Sequence, residues 1–468
     1  MTTAVLAPTV EFDADLIRKL NRQGPRYTSY PTADRFNADF GYGDYLQAVT
    51  ARRRRNVSPA LSFYIHVPFC ATVCYYCACN KVVTKNREKA ATYLDYLKRE
   101  IAMQGQLFAG MNRVEQLHFG GGTPTYFSDQ QMQELLDHLW TWFKPVSDEL
   151  GEYSIEIDPR TVSRDRMFSL RAQGFNRVSL GVQDFDEAVQ RAVNRVQPEE
   201  VTREAVTAAR DANFRSVSID LIYGLPLQTL STMAQTLDKV IDISPDRIAI
   251  YNYAHLPHLF KPQRRIDESE LPDANTKLDM LALCISRLCN AGYVYIGMDH
   301  FAKPTDDLAK ALFQGRLHRN FQGYSTHADT DLVACGVSAI GSVGATYCQN
   351  AKTLDDYYAR LDNNELPIVR GTKINMDDAL RRSIIQMLMC NFELSVASVE
   401  MAYPITFNEY FAAEIVQLGP MIEYGLMTME DDWISITPKG RLLVRNICMV
   451  FDRYLARQLP TARYSKTI

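Results

Sequence analysis

The sequence predicts an α/β fold: an incomplete parallel (β/α)6 TIM-like barrel with an N-terminal extension and a mainly helical C-terminal domain. Three observations carry this reading. Short β-branched runs recur roughly every 25–40 residues with amphipathic helical patterns between them, the rhythm of parallel βα units. The loops after those runs hold the unusual residues, as barrels hold theirs at the C-terminal strand ends. Near residue 370 the rhythm stops and helical periodicity takes over.

Residues 1–55 are the extension, expected to cover a bound substrate. A short helical pattern, Asp13 to Leu20, leads into the turn-rich run GPRYTSYPT (24–32), whose tyrosines give it something to pack. The arginines Arg52 to Arg55 read as a solvated helix end. The barrel is expected over 56–365. Its strands are LSFYIHV (61–67), VEQLHF (114–119), YSIEID (153–158), NRVSLGV (176–182), SVSIDLI (216–222) and RIAIYNY (247–253). Helical patterns cover 87–108, 129–143, 161–172, 199–211, 230–242 and 274–291, and VYIGM (294–298) is a candidate further strand. Six good units favour a partial, open barrel over a closed one of eight. Residues 366–468 form the last domain, with helical patterns at Asp377 to Asn391, Thr406 to Leu418 and Lys439 to Leu455. The hairpin at 425–440 gives it a winged-helix character. An acidic tip (Glu430, Asp431, Asp432) argues for packing or substrate covering instead of DNA binding.

Composition narrows the class. The 468 residues carry a net charge of -4 and a pI near 6.1, which argues against a nucleic-acid partner. No basic region precedes an apolar run at the N-terminus, and no stretch reaches membrane-spanning length, so a cytoplasmic setting is expected. Four of the ten cysteines, Cys70, Cys74, Cys77 and Cys79, crowd together. Cys284, Cys289, Cys335, Cys348, Cys390 and Cys448 lie scattered in mostly apolar surroundings and suit buried thiols better than disulfides.

Cys70-x3-Cys74-x2-Cys77 places three soft ligands on the loop after the first strand. Thiolates select iron–sulfur clusters, zinc or copper(I). Three thiolates on a four-iron cubane leave one iron open. Counting alone leaves Cys79 available as a further ligand, and a tetrathiolate zinc site is the competing reading. Zinc sites usually present two separated pairs, which this tight triplet does not. Gly121, Gly122 and Thr123 follow the second strand, where consecutive glycines permit close backbone approach. Glu156, at the end of the third strand, is placed to hydrogen-bond a ribose diol or face a sulfonium group.

At these residues the chain resembles the radical S-adenosylmethionine (SAM) superfamily, whose signature is C-x3-C-x2-C. YIHVPFCATVCYYCACNK (64–81) is similar to the oxygen-independent coproporphyrinogen III oxidase family, as are GGGTPTY (120–126), GVQDF (181–185), DLIYGLP (220–226), NYAHLP (252–257) and HRNFQGY (318–324). The resemblance covers essentially the whole chain. It implies a [4Fe–4S] cluster held by Cys70, Cys74 and Cys77, whose open iron binds SAM and whose electron splits it to a 5′-deoxyadenosyl radical. It implies Tyr64 close to cluster and SAM, Tyr76 packed near SAM, and Gly121, Gly122 and Thr123 on the SAM methionine amino group. Ile340 matches a position near the first SAM. Gln183, Arg195, Asp220 and Ala254 match positions of a second SAM, so two SAM molecules are implied. From the residues alone, either Arg195 or Asp220 reads equally as a member of an ordinary buried ion pair.

The implied reaction is oxidative decarboxylation of two propionates of coproporphyrinogen III to vinyl groups. A reductase- or flavodoxin-type electron donor and a monomer are also implied. Arg26, Tyr27 and Tyr30 are candidate covering residues, and Arg319 and Arg195 are candidate partners for substrate carboxylates. Ala78 departs from the family, which has glycine there, and this puts the local loop geometry in question. A haem-transfer protein on the same scaffold is the alternative function.

Overall fold

The computed structural model describes residues 10–54, 59–328 and 330–455. The chain divides into two compact units, each discontinuous in sequence. One takes Phe36–Met280 with Asp329–Lys373, and the other Met1–Arg35, Leu281–Ala328 and Ile374–Ile468. This partition differs from three consecutive segments because residues 27–30 pack against residues 452–454. Tyr27 Oη donates to Asp452 Oδ2 at 3.0 Å, and the Tyr30 ring lies 5.8 Å from that of Tyr454. Tyr27 and Tyr30 are therefore core residues, 2% and 1% exposed, and not a free cover. Arg26 is ion-paired with Asp299. The expected boundary after residue 55 lies outside the described residues.

The larger unit is built on six parallel strands: β1 (Leu61–Val67), β2 (Arg113–Gly121), β3 (Glu152–Ile157), β4 (Arg177–Gln183), β5 (Ser216–Tyr223) and β6 (Arg247–Asn252). They lie in the order β6-β5-β4-β3-β2-β1, so each crossover places the next strand beside the last. In β1 every residue except Tyr64 is buried, as expected where helices cover the outer face and side chains fill the inner one. The crossover helices are amphipathic. Asp129–Trp142 buries Met132, Leu135, Leu136 and Leu139 on one stripe, and Ser128 caps it by accepting from the Gln131 amide at 3.2 Å. Glu88–Leu107 likewise buries Tyr93, Leu94, Leu97 and Ile101.

Beyond β1 the sheet continues where the sequence predicts no strand. β7 (Asp331–Cys335) pairs parallel to β1, and β8 (Ile340–Val343), β9 (Thr346–Asn350) and β10 (Ile368–Lys373) follow antiparallel. Arg52 explains part of this extension and corrects the reading of the arginine run. Arg53 and Arg54 are exposed, but Arg52 is 1% exposed, and its Nε donates at 2.5 Å to Asp331 Oδ2 at the start of β7.

In the other unit, VYIG (Val294–Gly297) is a strand, antiparallel to His300–Ala302. A second hairpin joins His318–Asn320 to Gly323–Ser325. Glu393–Ser395, Met427–Glu430 and Trp433–Ile436 form the three-stranded wing sheet beside Met376–Asn391, Val396–Ala402 and Ala412–Glu423. Asp431 and Asp432 turn its hairpin with φ of 48° and 62°. The long helix expected at Lys439 to Leu455 is instead a five-residue helix, Val444–Cys448, between two 3-10 turns. Its Arg445 is drawn inward to the carbonyls of Gly24 and Pro25.

Candidate active site

Parallel pairing puts the C-terminal ends of β1 to β6 on one edge of the larger unit, and the sequence-predicted site residues gather there. The cysteine loop leaves β1 through a two-residue strand, Phe69–Cys70, paired with Val82–Val83. Its midpoint is anchored by the Tyr75 amide on Val193 O at 2.9 Å and by Asn194 Nδ2 on Val73 O at 2.7 Å. Cys70, Cys74 and Cys77 are partly exposed and Cys79 is exposed.

Each thiol has polar neighbours. Thr123 Oγ1 donates to Cys70 Sγ at 3.6 Å. Arg195 Nη1 and Arg160 Nη2 point at Cys74 Sγ from 3.6 and 4.0 Å. A hydrogen bond from Cys79 lowers the Cys77 thiol to about 6, with Lys81 adding to the effect. Burial pushes Cys70 up to about 11, so that thiolate needs a metal to hold it. Among the described residues no three His, Cys, Asp or Glu side chains surround one metal-ion position. The fit to a cluster therefore rests on donor chemistry: three soft thiols on one loop, two guanidiniums beside the middle one, and one thiol already poised as thiolate. Ala78 is exposed and its φ is not positive, so its methyl group brings no strain.

Arg195 is 6% exposed and lies 3.1 Å from Asp158 Oδ2, which also holds Arg160. Arg195 thus sits in a buried ion pair, while Asp220 does not. Asp220 accepts instead from Ser179 Oγ at 3.0 Å, and burial with the nearby Glu156 charge pushes it up to about 7. Burial pushes the Glu156 carboxyl up too, but the bond from His118 Nε2 at 3.3 Å and the Gly121 amide at 3.1 Å outweigh this and hold it below the usual range.

Tyr64 stacks on His118 at 5.9 Å and donates to His66 Nδ1 at 3.0 Å. His66 Nε2 in turn donates to Asn80 O at 3.0 Å, closing the cysteine loop onto β1. The glycines prove to be needed for protein contacts. A Cβ on Gly122 would lie 2.7 Å from Pro68 O, and one on Gly121, whose φ is 122°, would lie 2.8 Å from Val67 O.

Gln183 ends β4 with φ of 73°, beside a register shift. Gln263, which no sequence signal marks, donates to both Tyr76 O (3.0 Å) and Ala254 O (3.2 Å), joining the cysteine loop to the exit of β6. Tyr76 packs with Tyr75 and Tyr251 against Val193, Leu225 and Tyr253, an apolar wall beside the cysteines. Ile340 opens β8, after the turn that follows β7. His66, Asp158 and Arg160 are within reach of sequence reasoning, since they lie in HVPFC and EIDPR, two of the segments at strand ends.

A parallel partial barrel with a C-x3-C-x2-C loop at its strand ends defines a radical SAM protein, and the family model for the radical SAM superfamily matches residues 64–240. A second model, the HemN C-terminal domain, matches residues 374–443. Oxygen-independent coproporphyrinogen III oxidases from Pseudomonas aeruginosa and Escherichia coli are 51% and 48% identical, each over 98% of this chain and 99% of the relative. The solved Escherichia coli coproporphyrinogen III oxidase superposes with a TM-score of 0.90 at 47% identity, covering 95% of this chain and 100% of that one. The chain belongs to the oxygen-independent coproporphyrinogen III oxidase family. Among the described residues no helix is long and apolar enough to cross a membrane.

Proposed function

We propose that the strand-end site catalyses SAM-dependent oxidative decarboxylation of two propionates of coproporphyrinogen III, giving protoporphyrinogen IX. The observation that carries this is relatedness to enzymes of that name over 98% of the chain, with the three-cysteine loop at the strand ends. When bound, a [4Fe–4S] cluster supplies the electron that splits the SAM sulfonium bond and so generates a 5′-deoxyadenosyl radical.

In this reading Cys70, Cys74 and Cys77 hold the cluster. Arg195 and Arg160 stabilise the Cys74 thiolate by charge, and Thr123 steadies Cys70. Tyr64, Gly121, Gly122, Thr123, Glu156 and Ile340 bind the first SAM. Glu156, fixed by His118 and Gly121, presents a carboxylate to its ribose or sulfonium. Gln183, Arg195, Asp220 and Ala254 bind a second SAM, and Tyr76 packs near SAM. The apolar wall of Tyr75, Tyr76 and Tyr251 excludes water, which protects a reactive alkyl radical from side reactions. The carbon attached to the pyrrole ring gives a hydrogen atom to the 5′-deoxyadenosyl radical, which becomes 5′-deoxyadenosine; loss of CO2 and transfer of one electron to an external one-electron acceptor then leave a vinyl group. The target carbon must be held in van der Waals reach for this to compete with other reactions. The same reading takes a reductase- or flavodoxin-type donor, a monomer and a cytoplasmic setting.

The test is an anaerobic assay of reconstituted protein with coproporphyrinogen III, SAM and dithionite-reduced donor. Protoporphyrinogen IX with released methionine is the expected outcome. Stoichiometric haem binding without decarboxylation would instead identify a haem-transfer protein.

A further inference from the structure

Cys74 is the middle cysteine of the loop, and two guanidiniums face it: Arg195 Nη1 at 3.6 Å and Arg160 Nη2 at 4.0 Å. Two cations packed side by side away from bulk water repel each other unless an anion lies between them. Asp158 is that anion. Its Oδ2 accepts from Arg160 Nη2 at 2.6 Å and from Arg195 Nη1 at 3.1 Å, so one oxygen holds the same two nitrogens that point at the sulfur. Its Oδ1 accepts from Arg160 Nε at 3.0 Å, which completes a planar fork and fixes the rotation of that guanidinium. The side chains of Asp158, Arg160 and Arg195 are 12%, 23% and 7% exposed, so water screens this group poorly. The carboxylate has little freedom of its own. Asp158 follows β3 directly and caps the 3-10 turn Pro159–Thr161, with Oδ1 accepting from the Arg160 amide at 3.1 Å and the Asp158 carbonyl accepting from Thr161 Oγ1 at 2.8 Å. Arg195 is braced from behind by a bond from its Nη2 to Gly181 O. A cap needs one oxygen, which serine or asparagine supplies as well. The second oxygen, shared by the two guanidiniums, is what capping leaves unexplained.

We propose that Asp158 is a positioning residue for the cluster: through Oδ2 it holds Arg160 and Arg195 against Cys74, and the net cationic field they set up there raises the reduction potential of the bound cluster. The assignment rests on the proposed function, in which Cys74 is a cluster ligand, and adds to it the group that keeps the charges in place. One-electron reduction adds a negative charge to the cluster, so cations fixed beside a ligand sulfur favour the reduced form.

The test is a redox titration of the reconstituted cluster without SAM, followed by EPR, on wild type, Arg160→Met, Asp158→Asn and the double variant. Arg160→Met removes one cation and leaves the carboxylate. It should shift the reduction equilibrium about tenfold toward the oxidised cluster, or ~59 mV for one electron. Asp158→Asn keeps the cap oxygen but puts an amide NH2 where Oδ2 stood, so Arg160 is no longer held at Cys74. Adding Arg160→Met to that variant should then shift the equilibrium by less than about twofold. An equal shift in both backgrounds would make Asp158 a bystander with a purely structural role and overturn the assignment, as would an unchanged or raised potential in Arg160→Met. Asp158→Ser, which also keeps a cap oxygen, replaces Asp158→Asn if that variant takes up no cluster, and if neither does, the shift in Arg160→Met alone decides. Failure of wild type to assemble a cluster that responds to SAM would strike the proposed function instead.

Discussion

Arg52→Met probes the pin that holds β7 onto β1. The guanidinium is buried, donates to Asp331 Oδ2 at 2.5 Å, reaches Met111 O at 3.4 Å, and stands 5.2 Å from the Phe108 ring. Asp331 is itself fixed, accepting from the Gly344 amide at 2.8 Å, and it faces Leu61 in the strand register. Methionine keeps much of the packing volume but abandons a carboxylate with little access to water. Removing one partner of a buried pair costs about 3–5 kcal/mol. With a urea m-value of ~3 kcal/mol/M, the unfolding midpoint should fall by about 1–1.7 M. The assay is urea unfolding of the metal-free chain followed by far-UV circular dichroism, run beside Asp331→Asn and the double variant. The double variant should recover part of the loss, because it removes both charges together. A midpoint within about 0.3 M of wild type in Arg52→Met, under 1 kcal/mol by the same m-value, would refute the reasoning and return Arg52 to the solvated surface.

Three further outcomes follow from the site and its supports. Cys74→Ser should abolish the brown cluster absorbance at ~400 nm while Cys79→Ser largely keeps it; iron loss in Cys79→Ser would point to four protein ligands. Gly122→Ala drives a methyl group against the Pro68 and Phe69 carbonyls and should destabilise the loop by about 1–3 kcal/mol, read as weaker SAM-induced change in the cluster's EPR signal. An unaltered signal would mean the backbone yields without consequence. Glu100 is buried, accepts from Gly336 N, Asn350 Nδ2 and Tyr357 Oη, and is pushed up by burial from 4.5 to about 7. A raised carboxyl favours the folded state most below its unfolded value, and this contribution is lost as pH climbs through 7. Glu100→Gln should therefore remove ~3 kcal/mol of pH dependence between about 4.5 and 7, and parallel stability–pH curves for the two proteins would contradict it.

The barrel was legible because its signals are local. β1 to β6 announce themselves as short β-branched runs, and the cysteine spacing needs no partner from elsewhere in the chain. What the sequence hides depends on distant residues. Arg52 looks like one of four surface arginines until Asp331, 279 positions away, draws it inside. β7 is five residues long and has no helix of its own to advertise it. Gln263 lies on a 3-10 turn with no recognisable motif, and its role exists only because Tyr76 and Ala254 come within reach. In the smaller unit, the helix expected at Lys439 to Leu455 shortens to Val444–Cys448, and its Arg445 reaches the carbonyl of Pro25, 420 positions earlier. Consecutive glycines suggest room for a ligand, whereas a side chain at Gly122 would first meet the Pro68 and Phe69 carbonyls, and one at Gly121 the His66 ring and the Val67 carbonyl.

The Gln263 amide has a mechanical consequence. β6 and β1 stand at opposite flanks of a six-strand array and share no ladder, so here the curl is fastened by side chains: two N–H···O bonds from Gln263 and the packing of Tyr75 and Tyr76 against Tyr253 and Ile266. Each such bond contributes about 1 kcal/mol net in water. Parting the loops at this clasp would cost those two bonds and the burial of an aromatic cluster, so closure on this side rests on side chains where the rest of the sheet rests on strand ladders.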